Sequence, residues 1–356
     1  MLLHGQIAAV LEELFEGSTE TVAVRLAHHY SEAGDDARVL QYLALAGDVA
    51  LASYANEEAE EHYRRGLQLA PVVSQRAHLL SGLGQALSRQ GRFREAIQTY
   101  QGGIRLYQAL GDSDSVARLY ARSDSDAAAA GYGAEALRLS QEGLAALSGA
   151  EDSVGLAHLL CGAGARYVYY AMPDKGLPLC QRALAMAERL GAVDVQADAL
   201  ASLGFYGGLS PEESQKLLRK AIALAEGAGL LEVAAWAHNR LGVHRAYILA
   251  DARGARDLCR RSAELFRQVG RTANQAYMLV NVATDSLFLG EFEEAEATLS
   301  LVRQLLSQLT EPGRAAYNAR FCEVWLLGHR GEWAEAARLA RALQADTRGR
   351  CATFLG

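Results

Sequence analysis

The stretch LQYLALAGDVALASYANEEAEEHYRRGLQLAP, residues 40–71, reads as two helices joined by a turn, with its small residues placed rather than scattered. Leu43, Ala46, Gly47 and Ala50 recur at helical spacing along the first helix, and Ala59, Tyr63 and Gly66 along the second. The segment HLLSGLGQALSRQGRFREAIQTYQGGIRLY, residues 78–107, has the same layout in Leu80, Leu83, Gly84 and Leu87, then Ala96, Tyr100 and Gly103. The small position returns at Gly164, Gly204 and Gly242, each with Leu160, Leu200 or His238 four residues before it. Self-similarity at a fixed period means stacked helical hairpins rather than one compact core, because no single hairpin can bury its apolar face alone. Gly and Ala at the crossings let helices approach closely while Leu and Tyr fill the gaps between them.

Phasing the chain on these positions puts repeat starts near 40, 77, 117, 157, 197, 235, 276 and 317. Each unit is a helix A, a short turn, a helix B and a link. The turns read as Gln90-Gly91-Arg92, Met172-Pro173-Asp174, Leu289-Gly290-Glu291 and Arg330-Gly331-Glu332. Ser210-Pro211-Glu212-Glu213 reads as a helix start, with a capping serine, a proline in the first turn and acids facing the dipole. Residues 1–39 predict one extra helical hairpin, the array spans 40–345, and the polar, aperiodic tail 346–356 is expected to fray. The third unit is the least regular, since Asp124 stands where the others carry a small residue.

Composition narrows the function. Half of the 356 residues are hydrophobic and only five are proline, as in an all-α protein. The net charge of −7 is interspersed, leaving no basic footprint for nucleic acid or a membrane surface. The N-terminus lacks the basic region and apolar core of a secretory signal, and no apolar run approaches membrane-spanning length. Five widely spaced cysteines without a CxxC pair read as buried thiols of a reduced, cytoplasmic protein.

The residues quoted above resemble the tetratricopeptide repeat, with Leu43, Ala46, Gly47, Ala50, Ala59, Tyr63, Gly66 and Pro71 at the motif's offsets. The period here exceeds the motif's 34 residues, so helices or links are longer. The resemblance implies an all-α, right-handed superhelix, an α-solenoid of about nine such hairpins. LAHHYSEAGDDARVLQYLALAGDVALASYANEEAEEHYRRGLQL, residues 26–69, looks like the start of the helical-repeat region behind the nucleotide-binding module of bacterial STAND-type ATPases and maltose-regulator-like transcription activators. In those proteins the repeats are sensor and docking regions for an inducer or partner. The chain carries no Walker A lysine loop, Walker B acid or helix-turn-helix signature. It is therefore the sensor portion of such a regulator or a free-standing repeat scaffold.

No catalytic constellation emerges. Ser, His and Asp residues form no recognisable triad, so an enzyme with a hidden site is the weakest reading. His28-His29 invites a metal, but adjacent helical residues point about 100° apart and no second ligand pair lies at i+4, so no metal or cofactor is expected. The glycines of Gly82-Leu83-Gly84 and Gly162-Ala163-Gly164 lie inside helical patterns and read as packing, not as phosphate loops. Projecting the A helices onto a concave face selects Arg89, Arg118, Arg122, His158, Tyr169, Trp236, Asn239, Arg240, Tyr277, Asn281 and Trp325. Guanidinium, amide and aromatic groups in that mixture suit a peptide, a protein segment or a small anionic ligand, and a homo-oligomer is compatible with it. Burial between repeats is the competing reading for Trp236, Tyr277 and Trp325.

Overall fold

Tyr63 is wedged between three helices, and its ring occupies the space that side chains would take at two glycines. A Cβ on Gly47 would stand 2.6 Å from the ring, and one on Gly82 only 2.3 Å. Tyr100 repeats the device, 2.4 Å from the Cβ that Gly84 lacks. Both tyrosines are fully buried. Glycine is therefore required at these crossings by close approach, as the sequence pattern predicted.

The structure, a computed structural model, describes residues 1–70 and 72–352, with side chains up to residue 344. Among the described residues it is all-helical, with no strand. Eighteen α-helices form nine successive hairpins. The first is α1 (Leu2–Leu14) with α2 (Ala23–Ala33), entered through a 3-10 turn at Thr19–Val22. Next come α3 (Asp36–Ala52) with α4 (Asn56–Leu69), α5 (Val73–Arg89) with α6 (Phe93–Leu110), and α7 (Ser113–Ala129) with α8 (Gly133–Ala146). The middle is α9 (Val154–Tyr169) with α10 (Pro173–Leu190), then α11 (Val193–Tyr206) with α12 (Pro211–Gly227). The last three are α13 (Leu231–Ile248) with α14 (Ala252–Gln268), α15 (Thr272–Phe288) with α16 (Phe292–Leu306), and α17 (Gly313–His329) with α18 (Trp333–Ala352). Every B helix packs on its own A helix, and most pack on the next as well, so the core is a ribbon along the array.

Local chemistry sets the ends. Ser210 and Glu213 form a reciprocal capping box at the start of α12, as the sequence implied. At the A-to-B turns the chain takes a left-handed conformation. Gly91, Gly131, Gly290 and Gly331 supply it, while Tyr54, Ala171 and Ala250 adopt it despite a Cβ. The irregular third unit folds as two ordinary helices. Buried Asp124, in place of a small residue, accepts from Arg166 Nε of α9 at 3.0 Å. Cys161, Cys180, Cys259 and Cys322 are free and buried. The tail expected to fray includes the end of α18, and its residues 353–356 lie outside the described residues. No described helix is long and apolar enough to cross a membrane.

Gly84→Ala forces the Tyr100 ring to move inside a packed core and lowers unfolding free energy by about 1–3 kcal/mol. Gly227→Ala, where an added Cβ meets nothing within 4 Å, changes it by less than about 0.5 kcal/mol. Urea unfolding of the two variants measures the contrast; equal losses would remove close approach as the reason for the repeat.

Candidate functional site

The array closes on itself. A-to-B turns of the N-terminal half meet inter-hairpin links of the C-terminal half along a seam. Arg271, just before α15, donates to Ser88 Oγ of α5 at 3.1 Å, across 183 residues of chain. Ser88 in turn donates to Asp126 Oδ1 of α7 at 2.7 Å. Glu232, in the first turn of α13, lies between Arg271 Nε at 3.0 Å and Arg89 Nε at 3.4 Å. Arg89 also donates to the Leu51 carbonyl and sits 5.0 Å from the centre of the Tyr54 ring, one of the residues held in the left-handed conformation. A second contact region lies further along. Glu311 accepts from the Arg94 backbone N–H at 3.0 Å and from Tyr132 at 3.2 Å. Arg314 stands 4.3 Å from the centre of the Tyr277 ring and interacts with Tyr169 of α9.

The electrostatics of the seam are unequal. Burial alone would raise the Glu232 carboxyl, but Arg271, Arg89 and Arg122 hold it below the usual carboxylate range. Burial pushes Asp126 up to about 7, against the opposing pull of Arg271 and Ser88. Three guanidiniums, Arg89, Arg122 and Arg271, thus face one firmly ionised carboxylate, Glu232, and the part-ionised Asp126, so positive charge is in local excess. Arg271 Nε is within hydrogen-bonding distance of the Glu232 oxygen but poorly aligned with it, as is Arg89 Nε beyond it. Charge leads the clamp, ahead of the hydrogen bond from Arg271.

The eleven candidates separate into groups. Arg89 and Arg122 converge at the seam, with Arg122 donating to Ser81 at 3.3 Å. Arg240 reaches from α13 to the Asp198 carboxylate of α11 at 2.6 Å and its backbone oxygen at 3.2 Å. The buried Cys161 thiol approaches the same carboxylate at 3.5 Å. Burial acts to raise Asp198, and Arg240 brings it below the usual range. Asn281 donates to Asn239 at 2.8 Å, joining α15 to α13. Tyr169 and Tyr277 meet through Arg314.

The remaining four stand apart. Arg118 is paired with Asp114 of its own helix at 2.8 Å, and Asp114 also accepts from the Gly155 N–H at 2.6 Å. His158 donates to Asp194 at 2.9 Å. These contacts link the starts of successive A helices. Trp236 packs edge-on against buried Phe266. Trp325 is exposed, lies edge-on to Phe288, and lines an open cleft of about 570 Å³ with Phe292, His329 and Trp333. That cleft is apolar and far from the converging charges, so the seam is the stronger site.

Three of the candidate guanidiniums, Arg89, Arg118 and Arg240, are in ion pairs, which offset the cost of crowding a charge. Glu232, Arg271, Glu311 and Arg314 were not among the candidates. They sit at or just before the first turns of A helices, in positions that read as links.

The nine stacked hairpins make this a tetratricopeptide-type helical-repeat protein. No family model matches the chain, and no curated protein matches it in sequence. Among solved structures it is similar to a Rap protein complexed with Competence and Sporulation Factor, with TM-score 0.62 and 13% identity over 98% of this chain and 99% of that one. The apo form of the quorum sensor NprR from B. thuringiensis gives 0.56 at 15% identity over 84% and 86%. Aspartyl phosphate phosphatase F from Bacillus subtilis gives 0.53 at 12% over 85% and 75%. At such identities the likeness is one of fold.

Glu232→Gln leaves two guanidiniums facing each other without their anion. Unfolding free energy falls by about 1–3 kcal/mol, and small-angle scattering shows a larger radius of gyration; an unchanged radius would mean the seam does not depend on this clamp. The Asp126 carboxyl has a native pKa of about 7, above its usual 3.8. Its contribution to stability is complete below about pH 4 and is lost as pH rises to about 7. Asp126→Asn stays neutral throughout, so its urea midpoint gains on the parent's between about pH 4 and 7. A gap that stays constant over that range would show the carboxyl ionised throughout.

Proposed function

We propose that the chain is a non-catalytic interaction and sensor region that takes a peptide, a protein segment or a small anionic ligand on its inner face. The observation that carries this reading is Glu232, held between Arg89 and Arg271 mainly by charge, its oxygen poorly aligned with either Nε. A carboxylate brought in by a ligand can make the bidentate contacts that Glu232 does not make. Exchanging one for the other releases the link before α15 from α5 and α7. Ligand affinity then differs between the closed and opened arrays, and that difference is the only source from which a ligand can shift a conformational equilibrium.

Other groups on the inner side suit the same ligand. The Asn239–Asn281 amides can bind peptide backbone, and Arg314, flanked by Tyr277 and Tyr169, adds a second positive point. The similar Rap structure is described as a complex with Competence and Sporulation Factor, and NprR as a quorum sensor. Those descriptions concern those proteins and favour trying peptides first. The resemblance of residues 26–69 to the repeats behind STAND-type modules supports a further proposal, that a signalling ATPase or transcription-regulating module reads the opening. A constitutive scaffold is the alternative, and it needs no opening.

A thermal-shift screen at low salt with acidic peptides and anionic metabolites, followed by titration of a hit, tests the reading. Arg89→Ala, Arg271→Ala and Arg240→Ala are expected to weaken the hit at least about tenfold, or 1.4 kcal/mol. Asn281→Ala weakens it less, and Glu232→Gln tightens it by removing the competitor. A hit indifferent to all of these substitutions binds elsewhere, and a hit that leaves the scattering profile unchanged favours the scaffold.

A further inference from the structure

Nine histidines occur in the chain. Three of them, His78, His158 and His238, take carboxylate partners in Asp48, Asp194 and Glu226. His4, His28 and His29 instead take one another. Their ring centroids form a nearly equilateral triangle, with His4–His29 at 5.2 Å, His28–His29 at 5.4 Å and His4–His28 at 6.1 Å. One ligand nitrogen of each lies within 4.8 Å of the other two, and Nδ1 of His4 is 3.1 Å from Nδ1 of His29. Adjacent positions on one helix splay their side chains, which is why His28-His29 alone makes a poor pair. The third imidazole comes from α1, which packs against α2 through Ala8, Leu11, Leu26 and Ala27. Tertiary packing thus supplies the ligand that the spacing lacked.

We propose that His4, His28 and His29 form a zinc site that clasps α1 to α2. At Zn–N distances of about 2.0–2.1 Å and tetrahedral angles, two ligand nitrogens stand about 3.3 Å apart. The His4–His29 separation is already close to that. His28 is exposed and has room to swing inward to complete the set. Three imidazoles select borderline ions such as Zn²⁺ over Mg²⁺ or Ca²⁺, which prefer oxygen. The fourth position is open to water. A bound ion also fixes α1 on the next hairpin, because Glu12 of α1 accepts from Arg38 and Tyr42 of α3.

The test is calorimetric titration of the untagged, EDTA-stripped full chain with ZnCl₂. One Zn²⁺ per chain is expected, with binding weakened by more than about 100-fold in His4→Ala/His29→Ala, beyond what loss of an outer-shell partner costs. His78→Ala leaves the isotherm unchanged. Zn²⁺ raises the thermal midpoint of the wild type and slows amide exchange in residues 2–14, and it does neither in the double variant. The stripped wild type and the double variant unfold at similar temperatures, which separates ligand loss from misfolding. Should the double variant fail to fold, the wild type titrated with Co²⁺ decides: intense visible bands of a four-coordinate ion support the site, and their absence overturns it. Equal Zn²⁺ isotherms for wild type and double variant also overturn it.

Discussion

The structure depends on the exclusion of a side chain at a helix crossing. Tyr63 can bridge α3, α4 and α5 only because Gly47 and Gly82 leave its ring a place to stand. The phenol oxygen then reaches Asp48 at 2.8 Å, so the buried ring keeps a partner for its polar end. Tyr100 against Gly84 carries the same packing to the next hairpin. In the middle of the array the filler changes: Cys180 Sγ lies 2.6 Å from where a Cβ of Gly164 would be. Each crossing sets the distance and tilt at which one hairpin meets the next, and these small increments accumulate along the array.

Accumulated curvature brings distant parts of the chain together, and there the physics changes from apolar packing to charge. The seam joins turns and links, which are rich in polar groups and end in unpaired backbone donors and acceptors. Apolar contacts join it too, with Leu309 beside Gly91 and Tyr54 against the core cluster that holds Phe266 and Val269. The rest of closure is left to Glu232, Arg271, Glu311 and Arg314. A seam of this kind is cheaper to open than the core, since its partners can be exchanged for water, salt or a competing anion.

Much of the fold was legible because helix periodicity and small-residue spacing are local signals. The repeat phase, the turns at Gly91, Gly290 and Gly331, and the Ser210 cap all follow from a few neighbouring residues. Asp124 was legible as an exception but not as an ion pair, since Arg166 is 42 residues away. The candidate site was half legible. Projection of the A helices selected Arg89, Arg122, Arg240 and Asn281 but named no partner for any of them. Their partners were invisible because a helical wheel says which way a side chain points and nothing about what stands opposite.

The sequence by itself determined the hairpins, their number and the residues at which they touch, because those contacts lie within about one repeat and recur. Only the tertiary structure decided that turns and links of distant hairpins meet, that Asp126 is buried against Ser88, which Arg271 also reaches, and that His4 completes a triangle with His28 and His29. Each of these joins residues whose separation along the chain carries no period, and whose meeting depends on the summed geometry of every crossing between them.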